Sequence, residues 1–161
     1  GDWSSDVCSS DLHRSAEQLA QAADDPGWKS VGDIAYVDDE GYVHICDRKK
    51  DMVISGGVNI YPAEIESVLI QMPGVHDCAV FGIPDEEFGE QICAYVEPAP
   101  PAPGAAAIDA IAVRQYLGQH VARYKVPKVV EFSPALPRED SGKIFKRKLR
   151  APYWEKAGRS I

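Results

Sequence analysis

At 161 residues, 45% hydrophobic and 26% charged, the chain has the length and balance of one soluble globular domain with a short extension. A formal net charge of -8 argues against a general nucleic-acid or anionic-membrane surface. No apolar run approaches the roughly 18 residues that span a bilayer. No basic segment leads into an apolar one as in a secretory signal, and a cytoplasmic location is expected.

Residues 1–12 read GDWSSDVCSSDL, rich in Ser and Asp and without periodicity. Residues 2–12 resemble the translation of a sequencing-adapter primer. Residues 1–12 are therefore expected to be an unstructured artefact, and the chain a fragment whose natural N-terminal sequence is missing. Residues 13–23 carry a helix-like pattern that ends at the turn signal Asp24-Asp25-Pro26-Gly27. Residues 33–37 and 42–46 are β-rich, and Asp38-Asp39-Glu40-Gly41 between them predicts a hairpin. A charged bridge, Asp47 to Asp51, leads to a second small hairpin of 52–55 and 58–60 around Gly56-Gly57. Pro62 suits the first turn of a helix whose apolar face is Ile65, Val68, Leu69 and Met72, and Pro73-Gly74 stops it.

Residues 75–83 and 91–96 read as buried strands joined by an acidic turn over 84–90. The Pro/Ala-rich stretch 97–107 predicts an exposed loop. A helix is expected over 108–121 with Ile111, Leu117 and Val121 on its core side. A last strand follows at 129–132, and a basic helix begins at 146–150. The implied fold class is α+β: a small mixed sheet with flanking helices, plus N-terminal β-hairpins. Cys8, Cys46, Cys78 and Cys93 match no zinc spacing and are expected as thiols, Cys78 and Cys93 in the core; no metal site is expected.

Three segments carry candidate chemistry. In Leu136-Pro137-Arg138-Glu139-Asp140-Ser141-Gly142-Lys143-Ile144, the Ser-Gly turn would hold Lys143 at a loop tip, a point cation suited to phosphate or carboxylate oxygens. It is not a Walker A loop, because Ile144 follows the lysine and no glycine stands five residues before Gly142. By chemistry alone, an ordinary surface lysine next to a turn is the better reading. Gly56-Gly57 either turns a hairpin or lets backbone approach a narrow ligand. In Gly32-Asp33, a carboxylate at a strand start either accepts bonds from sugar hydroxyls or caps a turn.

The ordered set Gly32-Asp33, Asp47-Arg48 through Glu66, Tyr124-Lys125-Val126-Pro127 and Ser141-Gly142-Lys143 resembles the adenylate-forming superfamily of acyl-CoA synthetases, peptide-synthetase adenylation domains and luciferases. The resemblance implies that residues 13–47 are the end of a large ATP-binding domain and 48–161 a mobile C-terminal lid that closes over it. It further implies that Asp33 and Arg48 bind the ribose of ATP and of the acyl-adenylate. Lys143 would catalyse adenylate formation, Lys50 would be the hinge, and Gly56 and Gly57 would line the pantetheine tunnel of CoA.

ATP and CoA are the implied cofactors, with Mg2+ held mainly outside this chain. The implied partners are the missing ATP-binding domain, the carboxylic acid substrate and CoA. Ile54 and the paired glycines resemble fatty-acyl- and aryl-CoA ligases, whereas peptide-synthetase domains usually have lysine at the Ile54 position. The expected function is a fatty or other lipophilic acid–CoA ligase whose isolated C-terminal fragment is inactive. The alternatives are the lid of a carrier-loading adenylation domain and a non-catalytic α+β interaction module.

Overall fold

The computed structural model describes residues 32–100 and 107–158. The expectations for 1–12 and for a helix over 13–23 lie outside them, as does most of the Pro/Ala-rich stretch. The described residues divide into two compact units that meet between Asp51 and Met52.

In the first unit, β1 (Asp33–Val37) and β2 (Val43–Arg48) pair antiparallel, from Val37↔Val43 to Asp33↔Arg48. Asp38 organises the turn. Its Oδ1 accepts the Glu40 and Tyr42 amides at 3.0 and 2.9 Å, and its Oδ2 lies 2.6 Å from His44 Nε2. Gly41 supplies the positive φ of 88° that the turn needs. With Tyr42 held by the turn, the strand starts one residue later than its composition suggests.

The second unit is built on a five-stranded sheet. The short strands β3 (Val53–Ser55) and β4 (Val58–Ile60) form a hairpin. Strands β5 (Val75–Asp85) and β6 (Gly89–Pro98) form the long central pair. This pair runs further than the expected 75–83 and 91–96. Asp85 Oδ1 accepts the Glu87 and Phe88 amides and compresses the turn, so Pro84 and Glu90 stay in the ladder. β7 (Val129–Phe132) lies parallel to β6 and shares that edge with β3, which touches β6 at Ser55↔Gly89.

Period-two alternation along β5 and β6 sends side chains to both faces. Cys78, Val80, Ile92, Ala94 and Val96 pack with Ile65 and Leu69 of α1 (Pro62–Leu69) and with Val113 and Leu117 of α2 (Ala110–His120). Phe81, Ile83 and Cys93 face the other side, against Leu149 and Tyr153 of α3 (Lys146–Lys156). A sheet covered on both faces explains the unbroken apolar run of β5. Burial of each such Leu, Val or Phe contributes roughly 1.5–3 kcal/mol.

Ile111 is not on the core side of α2: it is 59% exposed, while Val113 and Leu117 are buried. Asp109 caps the helix by accepting the Ala112 amide at 2.7 Å. Val113 and Leu117, one turn apart, face the sheet together, which leaves Ile111 on the far side. Val121 packs at the core margin as expected. The terminal basic helix extends through Pro152 to Lys156.

The outer edge of β5 is covered rather than bare. Glu66 Oε1 accepts the Val80 amide at 2.6 Å, and Trp154 Nε1 donates to the Gly82 carbonyl at 3.2 Å. Among the described residues no helix is long and apolar enough to cross a membrane.

Candidate functional site

Lys143 sits on a loop that its own sequence closes. The Gly142 amide donates to the Glu139 carbonyl at 2.8 Å, with Gly142 at φ +84°, and the Glu139 amide donates to the Lys143 carbonyl at 2.8 Å. Arg138 and Ile144 pair as an isolated bridge at the loop's base. The Lys143 side chain is exposed, and its ammonium forms no ion pair among the described residues. A cation presented in this way is available to an incoming anion.

Gly56 and Gly57 form the tip of the β3–β4 hairpin, with φ of 58° and 80°. Two consecutive positive φ values define the two-residue turn whose twist matches paired strands, so the turn reading of this pair holds. The tip is also sterically open on one side. A Cβ on Gly57 would meet nothing within 4 Å, whereas one on Gly56 would stand 3.1 Å from Phe88 Cδ1. The Gly56 amide donates to the Phe88 carbonyl at 2.9 Å, which fixes the tip against the β5–β6 turn. Beside it, Lys128 Nζ lies 4.5 Å from the Phe88 ring centre and 3.8 Å from Asp85 Oδ2. The Phe88 amide bond holds the Asp85 carboxyl below the usual range, aided by the Glu87 amide and Lys128, while its own burial opposes this.

The two motifs occupy opposite ends of one strand. Arg138 at the base of the Lys143 loop binds Asp77, near the start of β5. The glycine tip leans on Phe88, just beyond its end at Asp85. Eight residues of strand separate Asp77 from Asp85, about 26 Å at the usual rise.

In the first unit, Asp33 and Arg48 are register partners, with Arg48 Nε 3.9 Å from Asp33 Oδ1 and both side chains partly exposed. Lys50 lies in the exposed turn after β2, one residue before the junction of the units. The structure thus juxtaposes Asp33 with Arg48 and sets Gly56-Gly57 apart from Lys143. The residues that frame Lys143, namely Asp77, Arg138, Glu66 and Lys146, were not singled out in the sequence, because no local pattern announces such long-range ion pairs.

Residues 64–143 match the family described as the AMP-binding enzyme C-terminal domain. A long-chain-fatty-acid–CoA ligase of Mycobacterium tuberculosis is 48% identical over 136 residues, 84% of this chain and 26% of that protein. This chain carries the C-terminal domain of the AMP-binding enzymes. A fatty acid–acyl-carrier-protein ligase of Streptomyces coeruleorubidus is 42% identical over 138 residues, 84% of this chain and 25% of that protein. Among solved structures, o-succinylbenzoate-CoA synthetase of Bacillus subtilis, in complex with its acyl-adenylate intermediate, matches with a TM-score of 0.73. It is 36% identical, and the match covers 83% of this chain and 26% of that one. The chain spans about a quarter of the length of the AMP-binding relatives it matches.

Proposed function

We propose that this domain is the moving lid of an ATP-dependent acid–CoA ligase, acting first in acyl-adenylate formation and then in thioester formation. The observation that carries this reading is that the Lys143 loop and the Gly56-Gly57 tip are anchored at opposite ends of β5, whose Asp77 and Asp85 stand about 26 Å apart. One rigid domain cannot present both to the same reacting carboxyl at once, so two poses are required.

In the first pose Lys143 neutralises charge gathering on the carboxylate and α-phosphate oxygens as pyrophosphate leaves. Asp33 and Arg48 hold the ribose hydroxyls. Rotation at Lys50 then withdraws Lys143 and brings in the hairpin tip, where the open side at Gly57 leaves room for pantetheine while Gly56 seats the tip on Phe88. Phe88 and Lys128 stand beside that tip, an aromatic face and a cation suited to the nucleotide end of CoA.

Mg2+ would enter with the ATP phosphates, held mainly outside this chain. The acid substrate is a fatty or other lipophilic carboxylic acid, and the enzyme is cytoplasmic. Support for CoA as the acceptor rests on Ile54 and the open glycine tip. The carrier-protein relative makes loading of a carrier the second reading.

A crossed pair of substitutions in the full-length enzyme tests the two-pose reading. Lys143→Ala should slow acid-dependent ATP–pyrophosphate exchange by about 10²–10³ and leave thioester formation from a synthetic acyl-adenylate near normal. Gly57→Leu should do the reverse. Equal loss of both half-reactions in both variants overturns the reading.

A further inference from the structure

Lys143 is held between two ion pairs, one ending on β5 and the other on α1, which itself bonds β5. Five residues before it, the Arg138 guanidinium bonds the Asp77 carboxylate and, through Nη1, the Gly142 carbonyl at 3.0 Å. Three residues after it, Lys146 Nζ lies 2.7 Å from Glu66 Oε1, the same oxygen that accepts the Val80 amide at 2.6 Å. Asp77 and Val80 both belong to β5. The two backbone legs of the loop are therefore tied, one directly and one through α1, to neighbouring positions of one buried strand.

The Arg138 fork also grips the carbonyl that immediately precedes Lys143, so the tether acts on the peptide that aims the lysine. The Asp77 and Glu66 side chains are only 25% and 22% exposed, which limits solvent screening of both pairs.

We propose that Arg138 and Lys146, through Asp77 and Glu66, are positioning residues that aim Lys143 for the adenylation step. The inference rests on the catalytic role proposed for Lys143. Neither side chain needs to touch substrate. Each removes freedom from a loop whose tip would otherwise sample many directions, and a displacement of about 1 Å at a reacting group can cost up to about 10²-fold in rate. The paired lid motif at the far end of β5 has no share in this frame, so only one half-reaction depends on it.

The test is made in the full-length enzyme with Arg138→Gln, Arg138→Lys, Lys146→Met and the Lys143→Ala control. Arg138→Gln should slow ATP–pyrophosphate exchange by about 10- to 10²-fold in kcat, with KM for ATP and for the acid within twofold. Thioester formation from a synthetic acyl-adenylate should stay within twofold, which also shows that the variant is folded. Arg138→Lys should recover part of the rate, because it keeps the pairing with Asp77 but loses the fork to Gly142. Lys146→Met should act like Arg138→Gln. In a Lys143→Ala background, Arg138→Gln should cost nothing further, which a merely structural role would not predict. If Arg138→Gln leaves exchange at the wild-type rate while Lys143→Ala abolishes it, the positioning inference is wrong and the role of Lys143 stands. If Lys143→Ala is itself without effect, the functional reading beneath it fails. Equal slowing of both half-reactions by Arg138→Gln also overturns the proposal.

Discussion

The Lys125 ammonium lies 2.6 Å from both carboxylate oxygens of Glu64, joining positions 61 residues apart. Glu64 is in α1, and Lys125 closes the short 3-10 turn Arg123–Lys125 that leads into β7. The lysine side chain is only 17% exposed, so this pair is better shielded than most surface pairs. Lys125→Met is expected to lower stability by about 1 kcal/mol in urea unfolding, with Glu64→Gln similar and the double variant no worse than either alone. Additive losses in that cycle would show that the two side chains do not act as a pair.

The buried thiols make the fold sensitive to alkaline pH. Burial, reinforced by Glu66 and Asp77, pushes Cys78 up to about 12, and burial likewise raises Cys93 to about 12. An unfolded thiol ionises near 8.5. A raised folded value means that the stability is complete below about pH 8.5 and is lost as pH climbs toward 12. Chemical denaturation should therefore show a falling midpoint above about pH 8.5, and Cys78→Ala/Cys93→Ala should flatten that limb. Peptide mapping after brief alkylation at pH 8 should label Cys46 before Cys78 or Cys93. Rapid native-state labelling of either buried thiol would contradict the packing.

Local chemistry made much of this legible in advance. Gly56-Gly57 between two short β segments and Pro62 ahead of Ile65 and Leu69 each act within a few residues, and each held; the helix itself ends at Leu69, short of Pro73-Gly74, and Met72 packs into the core from the turn that follows. The error at Ile111 came from joining two faces in one set: Leu117 shares its face with Val113, one turn before it, and Ile111 lies on the other side of the helix. β5 and β6 proved longer because the Asp85 carboxylate tightens their turn. The frame around Lys143 was invisible for a different reason. Asp77 and Arg138 meet only because β5 and the loop after β7 are brought together by the whole sheet. The residues of the candidate site, by contrast, were recognised from ordered motifs rather than from physical pattern.

Lys128 and Phe88 offer a test of which end of the domain meets CoA. Lys128 is half exposed, and its ammonium is shared between the Phe88 ring and Asp85. Lys128→Ala should raise KM for CoA about five- to tenfold, equivalent to roughly 1 kcal/mol for one partly screened charge contact. The increase should shrink in high salt, and acid-dependent ATP–pyrophosphate exchange should stay unchanged. A carrier-loading enzyme should show no such CoA-specific effect but a loss with phosphopantetheinyl carrier instead.

Lys50 is the sharpest remaining position, because a backbone pivot can be tested without altering any catalytic group. It stands in the turn between β2 and the second unit. The neighbouring amides are committed: Lys49 donates to the Gly32 carbonyl at 2.7 Å and Asp51 to the Arg48 carbonyl at 2.9 Å. Lys50→Pro would fix φ near −65° while leaving both of those bonds available. If rotation at Lys50 carries the lid from one pose to the other, a locked φ should block the exchange rather than either chemistry. Adenylate formation in the full-length Lys50→Pro enzyme should remain within a fewfold of wild type. Thioester formation, measured from acid, ATP and CoA, should fall by at least about tenfold, since in enzymes of this kind the domain motion gates turnover. Pre-steady-state measurement should then show a burst of pyrophosphate release followed by a slow phase that is absent from the wild type. Lys50→Ala, which removes the ammonium but keeps backbone freedom, should turn over normally. Loss of activity in Lys50→Ala, or equal loss of both steps in Lys50→Pro, would place the pivot elsewhere.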